Sequence, residues 1–276
     1  MPELPEVEFA ARCLRRWARG RRILAAEWDP RARRIFRPGS PAAFARAVAG
    51  ATVEEVGRLG KHLLIRLSRG GAPLGVLSHL GMTGKWLEVP GPDAASPRHS
   101  RVRLLLDGGT ILHYQDPRLF GRLRVVPGAR FEEMPEVAAL GPDPLERGID
   151  GDRLLAALAR TRLPVKVKLL DQRLIPGVGN IHAAEACFRA RVDPRRSSRS
   201  LGRAEVRRIK AAVLASFRMT LEAERGREIT YVEEGGENPF LVYEREGQRC
   251  PRCRRGRIRR LVQAGRSTYF CPSCQG

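Results

Sequence analysis

Between residues 52 and 126, apolar and polar side chains alternate in short runs, which is the pattern of β-strands with one buried face. Glycine and proline interrupt these runs, and the step Asp107-Gly108-Gly109 is typical of a hairpin turn. Many short strands of this kind predict a β-sandwich or barrel. The predicted strands are 63–67, 75–77, 85–89, 102–106 and 110–114. A single helix precedes them. Its apolar face consists of Val7, Ala10, Ala11, Leu14 and Trp17.

After residue 126 the spacing of apolar residues changes. Residues 127–150 contain four prolines and several glycines, and we interpret them as a linker, with bounds at 131–150. Apolar residues then recur at helical spacing around 154–158, 165–170 and 206–221. Residues 222–249 are rich in Gly and Glu and are predicted to form a loop. These patterns predict an α+β protein. Its parts are an N-terminal β-sandwich with a leading helix at 1–130, the linker, a helical domain at 151–240 and a tail at 241–276.

The composition points to a nucleic-acid partner. The 276 residues include 51 Lys and Arg against 30 Asp and Glu, a formal net charge of +21. Such a charge indicates a polyanionic partner; a coding bias would explain the preference for arginine over lysine but not the excess of charge. A hydrophobic fraction of 42% excludes intrinsic disorder. No apolar run approaches the roughly 18 residues of a membrane span, and no secretory signal is apparent. We therefore expect a soluble cytoplasmic protein with no membrane partner.

The C-terminal tail predicts a metal site. Four of the six cysteines form two CxxC pairs separated by seventeen residues, in a tail with few apolar side chains. This spacing supplies four thiolates for one structural Zn²⁺ per chain, with no redox or nucleotide cofactor, whereas a cytosolic setting disfavours two disulfides. Arginines and apolar residues between the pairs predict a β-hairpin with a basic face. Cys13 and Cys187 are interpreted as packing residues. The predicted zinc ligands are Cys250, Cys253, Cys271 and Cys274.

The N-terminus carries the candidate catalytic chemistry. Removal of the initiator methionine would leave Pro2 with a secondary α-amine. An α-amine has a pKa of about 7.7–8.0, so a fraction is unprotonated and nucleophilic at neutral pH. Its attack on a sugar C1′ would give an iminium ion, an electron sink that suits elimination of the 3′ phosphate. Glu3 and Glu6 lie beside this amine and can manage protons, although proline and acids at a helix start are also ordinary capping residues.

Five motifs stand out along the chain: Pro2-Glu3-Leu4-Pro5-Glu6-Val7-Glu8, His79-Leu80-Gly81-Met82-Thr83-Gly84, Asp116-Pro117-Arg118-Leu119-Phe120-Gly121, Pro176-Gly177-Val178-Gly179-Asn180-Ile181 and the four-cysteine finger. Together they resemble the motifs of the bacterial formamidopyrimidine-DNA glycosylase family, whose sister group is endonuclease VIII. The resemblance implies a bifunctional enzyme of base-excision repair, which removes oxidised purines from double-stranded DNA and nicks the strand by β,δ-elimination. It also implies a catalytic sandwich domain and a helix–two-turn–helix DNA-binding domain. We expect a monomer associated with the bacterial nucleoid.

The resemblance implies roles for four candidate catalytic residues. Pro2 would be the nucleophile, Glu3 the general acid and Glu6 an auxiliary carboxylate. Lys61 would contact a phosphate near the lesion and assist proton transfer. A lysine just before a buried strand is also an ordinary solvated edge residue, so that alternative stays open.

Five further residues would contact DNA. Met82 would fill the space of the everted nucleotide, Phe120 would wedge between bases and Arg118 would face the orphaned cytosine. Elsewhere Met82 and Phe120 would more often be core residues, but glycines flank both loops. Asn180 is expected at a helix N-cap, where its side chain and free backbone amides would bind a phosphate. Arg266 is expected on phosphates that flank the lesion.

Three departures from the family pattern limit the substrate prediction. Leu119 stands where many members have a second arginine, and His182 stands where tyrosine is usual. Residues 222–240 do not match the loop that caps the lesion in the family. Two alternatives therefore remain: an endonuclease VIII-like glycosylase for oxidised pyrimidines, and a catalytically silent protein that senses lesions.

Overall fold

The computed structural model of the chain describes residues 2–91, 94–224 and 238–275. The described residues form two compact units. The N-terminal unit contains Pro2, residues 6–138 and Glu224, and the C-terminal unit contains residues 3–5, 139–223 and 238–275. The domain boundaries given above stay predictions. Among the described helices, none has the length and apolar character that a membrane span requires.

The N-terminal unit is a sandwich of two four-stranded antiparallel sheets. One sheet has the order β1 (Ile23–Trp28), β6 (Ser100–Leu106), β7 (Ile111–Gln115) and β5 (Lys85–Val89). The other has the order β2 (Thr52–Leu59), β3 (His62–Arg69), β4 (Ala72–His79) and β8 (Arg122–Pro127). Side chains from both sheets and from helix α1 (Leu4–Ala18) share one apolar core. The predicted sandwich and the buried face of α1 are confirmed.

The prediction of a single helix before the strands is wrong. Strand β1, a 3-10 helix at Pro30–Phe36 and helix α2 (Pro41–Val48) lie between α1 and β2. Strand β1 is at a sheet edge, and its Leu24 is 51% exposed, so its side chains do not alternate in the way that predicts a strand. Helix α2 does carry a sequence signal, since Ser40 accepts a hydrogen bond from the Ala43 amide and Pro41 occupies the first turn.

The segment interpreted as a linker begins with ordered structure. It contains a 3-10 turn at Phe131–Glu133 and the short helix α3 (Pro135–Ala138). Phe131 and Val137 are buried in a small cluster with Leu77 and Val126 of the sandwich. This part of the segment therefore packs as an extension of the N-terminal unit.

Four helices form most of the C-terminal unit. They are α4 (Gly151–Ala159), α5 (Val165–Lys168), α6 (Asn180–Ala190) and α7 (Arg203–Ala223). Helix α6 is central, with eight of its eleven residues buried, including Cys187. Cys13 is also buried, in the sandwich core, so both cysteines are packing residues as predicted.

The tail forms a hairpin of β9 (Arg259–Gln263) and β10 (Arg266–Phe270), as predicted. Ala264 and Gly265 connect the strands with φ angles of 47° and 72°, the two positive values of a type I′ turn. The tail packs against Phe188 of α6 in a small apolar cluster, whose other buried members are Val242, Cys250, Ile258 and Cys271. Most of the segment 222–240, whose departure from the family pattern was noted above, lies outside the described residues.

Candidate nucleic-acid interface

A buried carboxylate at the start of the chain caps the central helix of the C-terminal unit. Glu3 is 1% exposed. Its oxygens accept hydrogen bonds from the backbone amides of Gly179 at 2.7 Å, Ile181 at 2.8 Å and His182 at 3.2 Å. A Cβ at position 179 would lie 2.5 Å from the Glu3 carboxyl carbon, so only glycine permits this approach. Glu3 therefore occupies the amides that a helix N-terminus otherwise leaves unpaired.

The expected role of Asn180 as an N-cap with free amides around it is wrong. Asn180 is the first residue of α6, and the amides beside it already donate to Glu3. Its own side-chain oxygen accepts a hydrogen bond from the ammonium of Lys166, and its Nδ2 donates to the carbonyl of Ser267 at 2.9 Å. Asn180 thus joins helices α5 and α6 to the hairpin, because its amide group offers both a donor and an acceptor.

Lys166 and Tyr243 are candidate site residues that the sequence reasoning missed. Lys166 is fully buried, and burial lowers the pKa of its ammonium to about 8. Burial raises the pKa of Tyr243 to about 12, against the effect of its hydrogen bond with Asn180. A usable signal existed for Lys166, since it lies between Val165 and Leu169 of a predicted apolar helix face. Tyr243 lies in a segment without periodicity and offered none.

The other two N-terminal candidates belong to the N-terminal unit. Pro2 is buried and directly precedes Glu3, whose carboxylate accepts the three amide hydrogen bonds described above. Glu6 lies in the first turn of α1 and is 8% exposed. Acids in a first helical turn are favoured by the helix dipole, so the helix itself stabilises a carboxylate at this position.

Lys61 lies in the tight turn between β2 and β3, next to two histidines. It is half-buried, and Gly60 before it has a φ of 56°, which suits glycine. The rings of His62 and His79 lie 5.0 Å apart. The Gly81 amide donates to Nδ1 of His79 at 3.0 Å, and burial lowers the pKa of His79 to about 4. His79 is therefore a neutral group at the start of the Met82 loop.

The two predicted insertion residues lie outside the apolar core clusters of the described residues. Met82 is half-buried in the turn after Gly81, and Phe120 is half-buried in the loop between β7 and β8. The guanidinium of exposed Arg118 lies 4.8 Å from the centre of the Phe120 ring, and that of Arg34 lies 5.4 Å from it. Both cations are within the range of an attractive cation–π contact. Phe120 is thus held in a basic surface and not in the core.

The four predicted zinc ligands converge in the tail. Their sulfur atoms all lie within 4.8 Å of one another. The Sγ atoms of Cys250 and Cys274 are 3.7 Å apart, and those of Cys253 and Cys271 are 3.8 Å apart. Tetrahedral zinc with Zn–S bonds of about 2.3 Å requires a separation of about 3.8 Å, whereas a disulfide requires about 2.05 Å. The sulfur positions fit one zinc ion, and four thiolates leave it no open position for catalysis.

Arg266 opens strand β10, and its side chain is exposed. Arg260, on the paired strand, donates to the Ser267 hydroxyl at 3.0 Å and is also exposed. Within the described part of the chain, no salt bridge neutralises either of them. Two uncompensated guanidinium groups beside Asn180 and Ser267 make this surface suitable for phosphate.

Comparison with known proteins decides the family. The chain matches the formamidopyrimidine-DNA glycosylase N-terminal domain over residues 1–123, the H2TH domain of the same family over 140–231 and the zinc finger found in FPG and IleRS over 247–276. It is 42% identical to the formamidopyrimidine-DNA glycosylase of Thermus thermophilus, over 100% of this chain and 99% of the relative. The chain belongs to the formamidopyrimidine-DNA glycosylase family.

Solved structures of formamidopyrimidine-DNA glycosylases have the same fold. The crystal structure of the Thermus thermophilus MutM (FPG) protein matches with a TM-score of 0.82 and 38% identity, over 100% of this chain and 99% of that one. A complex of the Lactococcus lactis Fpg with DNA containing N7-benzyl-Fapy-dG matches with a TM-score of 0.87 and 26% identity, over 99% of each chain. The predicted family, fold class and zinc finger are confirmed. The individual roles stay predictions for Pro2, Glu3, Glu6, Lys61, Met82, Arg118, Phe120, Asn180 and Arg266.

Proposed function

We propose that this chain excises 8-oxoguanine and formamidopyrimidines from double-stranded DNA and then cleaves the strand by β,δ-elimination, with the Pro2 nitrogen as nucleophile. The observation that carries the proposal is the anchoring of the segment that follows Pro2. Three amides hold the Glu3 carboxylate, and the Leu4 amide donates to the Gly177 carbonyl at 3.1 Å. A nucleophile joined to so firmly held a segment is oriented before the substrate arrives, which lowers the entropic part of the barrier.

The chemistry requires the secondary amine that removal of Met1 would leave on Pro2. Its lone pair forms a bond to C1′ as the bond from C1′ to the damaged base breaks, and the proton that the new C1′–N bond leaves on the nitrogen passes to the departing base. Opening of the sugar ring then gives an iminium ion, while the ring oxygen takes a proton from Glu3, which acts as general acid in its protonated form and is left as the carboxylate that the three amides hold. Loss of a C2′ proton expels the 3′ phosphate, and a second elimination expels the 5′ phosphate. Glu6 serves as the auxiliary carboxylate that orients the amine.

The basic loops of the N-terminal unit would open the duplex. Base excision requires the damaged nucleotide to leave the stack, at a cost of a few kcal/mol. Met82 would fill the vacated space and Phe120 would enter between neighbouring bases, while the free donors of exposed Arg118 would bind the orphaned cytosine. Lys61, in its tight turn, would contact the phosphate next to the lesion and assist proton transfer.

The C-terminal unit would hold the DNA backbone. Arg266 would contact phosphates that flank the lesion, and the zinc ion would only maintain the hairpin that carries it. Asn180 would act through the polar cluster with Lys166 and Ser267 and contact phosphate from its partly exposed position. One chain contains all these groups, so we propose that it works as a monomer, in the bacterial cytoplasm at the nucleoid.

Borohydride trapping on a duplex with 8-oxoguanine opposite cytosine tests the nucleophile, with tag-free protein whose first residue is determined by mass spectrometry. The wild-type chain should form a covalent adduct. Pro2→Gly should lower strand cleavage by orders of magnitude at unchanged DNA affinity, and Pro5→Ala, the matched loss of a neighbouring proline, should keep both. Equal loss of cleavage and affinity in Pro2→Gly would contradict a catalytic Pro2.

The same duplexes separate the alternative functions. An adduct only with thymine glycol would indicate an enzyme of the endonuclease VIII type. Lesion-selective binding with no adduct on any substrate would indicate a catalytically silent sensor. An adduct and cleavage with a chain that retains methionine would overturn the assignment to Pro2 itself.

A further inference from the structure

A second buried carboxylate, Asp116, lies beneath the two loops that carry Met82 and Phe120. It directly follows β7 and is fully buried. Its Oδ1 accepts hydrogen bonds from the Thr83 hydroxyl at 3.0 Å and from the Arg118 amide at 3.2 Å. Its Oδ2 accepts one from the Gly121 amide at 2.8 Å. One carboxylate thus joins both loops.

Two of these three bonds shape the Phe120 loop itself. The amides of Arg118 and Gly121 bracket Leu119 and Phe120. Leu119 has a φ of 56°, a left-handed conformation that is unfavourable for a leucine. Such a conformation persists only where the surroundings enforce it. The carboxylate therefore holds Phe120 in a backbone conformation that the loop would not adopt by itself.

The third bond is not needed to close that turn, because it comes from the other loop. Thr83 directly follows Met82, and its hydroxyl reaches across to Asp116. The backbones also touch, since a Cβ on Gly81 would lie 2.5 Å from the Phe120 carbonyl carbon. Gly81 has a φ of 67° as well, so its conformation and its contact both require glycine. The two loops are packed as one body.

The residues beneath the two loops are also polar, and their side chains form hydrogen bonds. The fully buried Tyr114 donates its hydroxyl to the His79 carbonyl at 3.2 Å, and a Cβ on Gly121 would overlap that hydroxyl. Arg101, which is 5% exposed, donates to the Asp116 carbonyl at 2.9 Å and pairs with Asp29 at 2.6 Å. Asp116 is therefore fixed from below as well as from above.

We propose that Asp116 is a positioning residue that holds Met82 and Phe120 as one preformed insertion body, and that the Thr83 hydroxyl is the link between them. The inference rests on the proposed insertion of both side chains into DNA. Asp116 itself, being buried, would not touch the nucleic acid. With the hydrogen bond intact, both side chains enter the duplex together. The loops are already ordered, so eversion of the nucleotide carries no additional entropic cost for ordering them.

The prediction is a selective loss of base excision. An abasic site has no stacked base to displace, so its cleavage depends less on the insertion body. Thr83→Val, which removes the hydroxyl at nearly constant shape, should lower the rate of 8-oxoguanine excision about tenfold and change cleavage at an abasic site by less than about twofold. Thr83→Ser keeps the hydroxyl and should restore excision. A 2-aminopurine beside the lesion should report correspondingly slower eversion in Thr83→Val.

Thr110→Val is the matched control, because its half-buried hydroxyl accepts a hydrogen bond from Arg21 at 2.8 Å away from the loops. It should leave the ratio of the two activities unchanged. Asp116→Asn places an amide donor among the three groups that donate to Asp116, and it should lower the ratio of base excision to abasic-site cleavage further. If Asp116→Asn does not fold, Thr83→Val still tests the inference. Equal loss of both activities in Thr83→Val, or no rescue by Thr83→Ser, would overturn the positioning role. Absence of abasic-site cleavage in the wild type would instead overturn the proposed function.

Discussion

The sandwich and the finger both carry basic groups that we propose bind DNA, but different forces stabilise the two parts. Leu63, Tyr114 and more than twenty other buried apolar residues form the core beneath the loops of the N-terminal unit. The finger that carries Arg260 and Arg266 packs on a cluster of only five buried residues, one of which belongs to α6 and two of which are zinc ligands. Apolar burial contributes about 25 cal/mol per Å², so a segment this small requires another source of stability. The finger should therefore depend on its metal, and the sandwich on its packing.

Removal of zinc should have the largest effect, and it should be confined to the finger. Structural zinc contributes on the order of 10–16 kcal/mol to the folding of isolated finger peptides. Cys271→Ser should lose the one equivalent of metal and lower DNA affinity about 10–100-fold at fixed salt, because the arginine hairpin no longer forms. Elemental analysis and a titration with fluorescent duplex measure both.

The tryptophans give this experiment an internal reference. All three, Trp17, Trp28 and Trp86, lie in the N-terminal unit, so their fluorescence reports the sandwich alone. The denaturant midpoint of that signal should stay unchanged in Cys271→Ser. Cys13→Ser, a substitution at a buried cysteine outside the metal site, should show the reverse pattern, with full zinc and a lower midpoint. If Cys271→Ser binds DNA at full affinity, the finger does not depend on zinc in the way that distinguishes it from the sandwich.

A cavity in the sandwich should have the next largest effect. Leu63 is fully buried on β3, and Leu63→Ala should lower the free energy of unfolding by about 2–5 kcal/mol, as measured by tryptophan fluorescence in urea. Leu24→Ala is the matched control on the exposed edge strand and should cost less than about 0.5 kcal/mol. Zinc content should not change in either variant. A cost below 1 kcal/mol for Leu63→Ala would mean that packing supports the sandwich less than its core suggests.

The features predicted correctly from the sequence are those whose signal lies within one segment. Helix α1 was predictable because its buried positions repeat at helical spacing, and the zinc site because four cysteines share a fixed spacing. Helix α6 has no apolar period to detect, since it is buried on nearly all sides, and a helix was expected there only from the motif at Asn180. Strand β1 was missed because its edge position exposes residues such as Leu24.

The polar contacts that organise the candidate site were beyond sequence reasoning. Glu3 and the amide of Gly179 are 176 positions apart, and Thr83 and Asp116 are 33 apart, yet each pair shares a hydrogen bond. No periodicity encodes such a contact, because it depends on how the chain returns to the same place. For this reason the first acid of the N-terminal motif was predicted as a catalytic residue, but its role as the cap of α6 was not.

The pH dependence of the sandwich should be smaller than the effect of a cavity and should appear on the acid side. Burial lowers the pKa of His113 to about 4, and its Nδ1 lies 2.9 Å from the Ser100 hydroxyl. The unfolded chain binds this proton near pH 6.5, so the contribution to stability is complete above that pH and is lost as the pH falls toward 4. Between pH 7 and 5 the loss should be about 2 kcal/mol. His113→Gln should show a shallower loss of the tryptophan midpoint, and an identical pH profile would contradict the assignment.

The smallest effect should come from Lys166, and it should change stability on the alkaline side of neutral pH. Burial lowers the pKa of this ammonium to about 8, below its value in an unfolded chain, so the unfolded state binds more protons between pH 8 and 10.5. The C-terminal unit should therefore gain about 1 kcal/mol of stability from pH 7 to 9. Urea unfolding followed by far-ultraviolet circular dichroism measures this, since α7 contributes strongly to the signal. Lys166→Met should abolish the gain. Lys168→Met, which removes a partly exposed lysine paired with Asp171 at 3.0 Å, should keep it. If the stability gain from pH 7 to 9 persists in Lys166→Met, another group releases the proton. Lys166 would then stay fully ionised over this range, stabilised by Asn180 and Glu3.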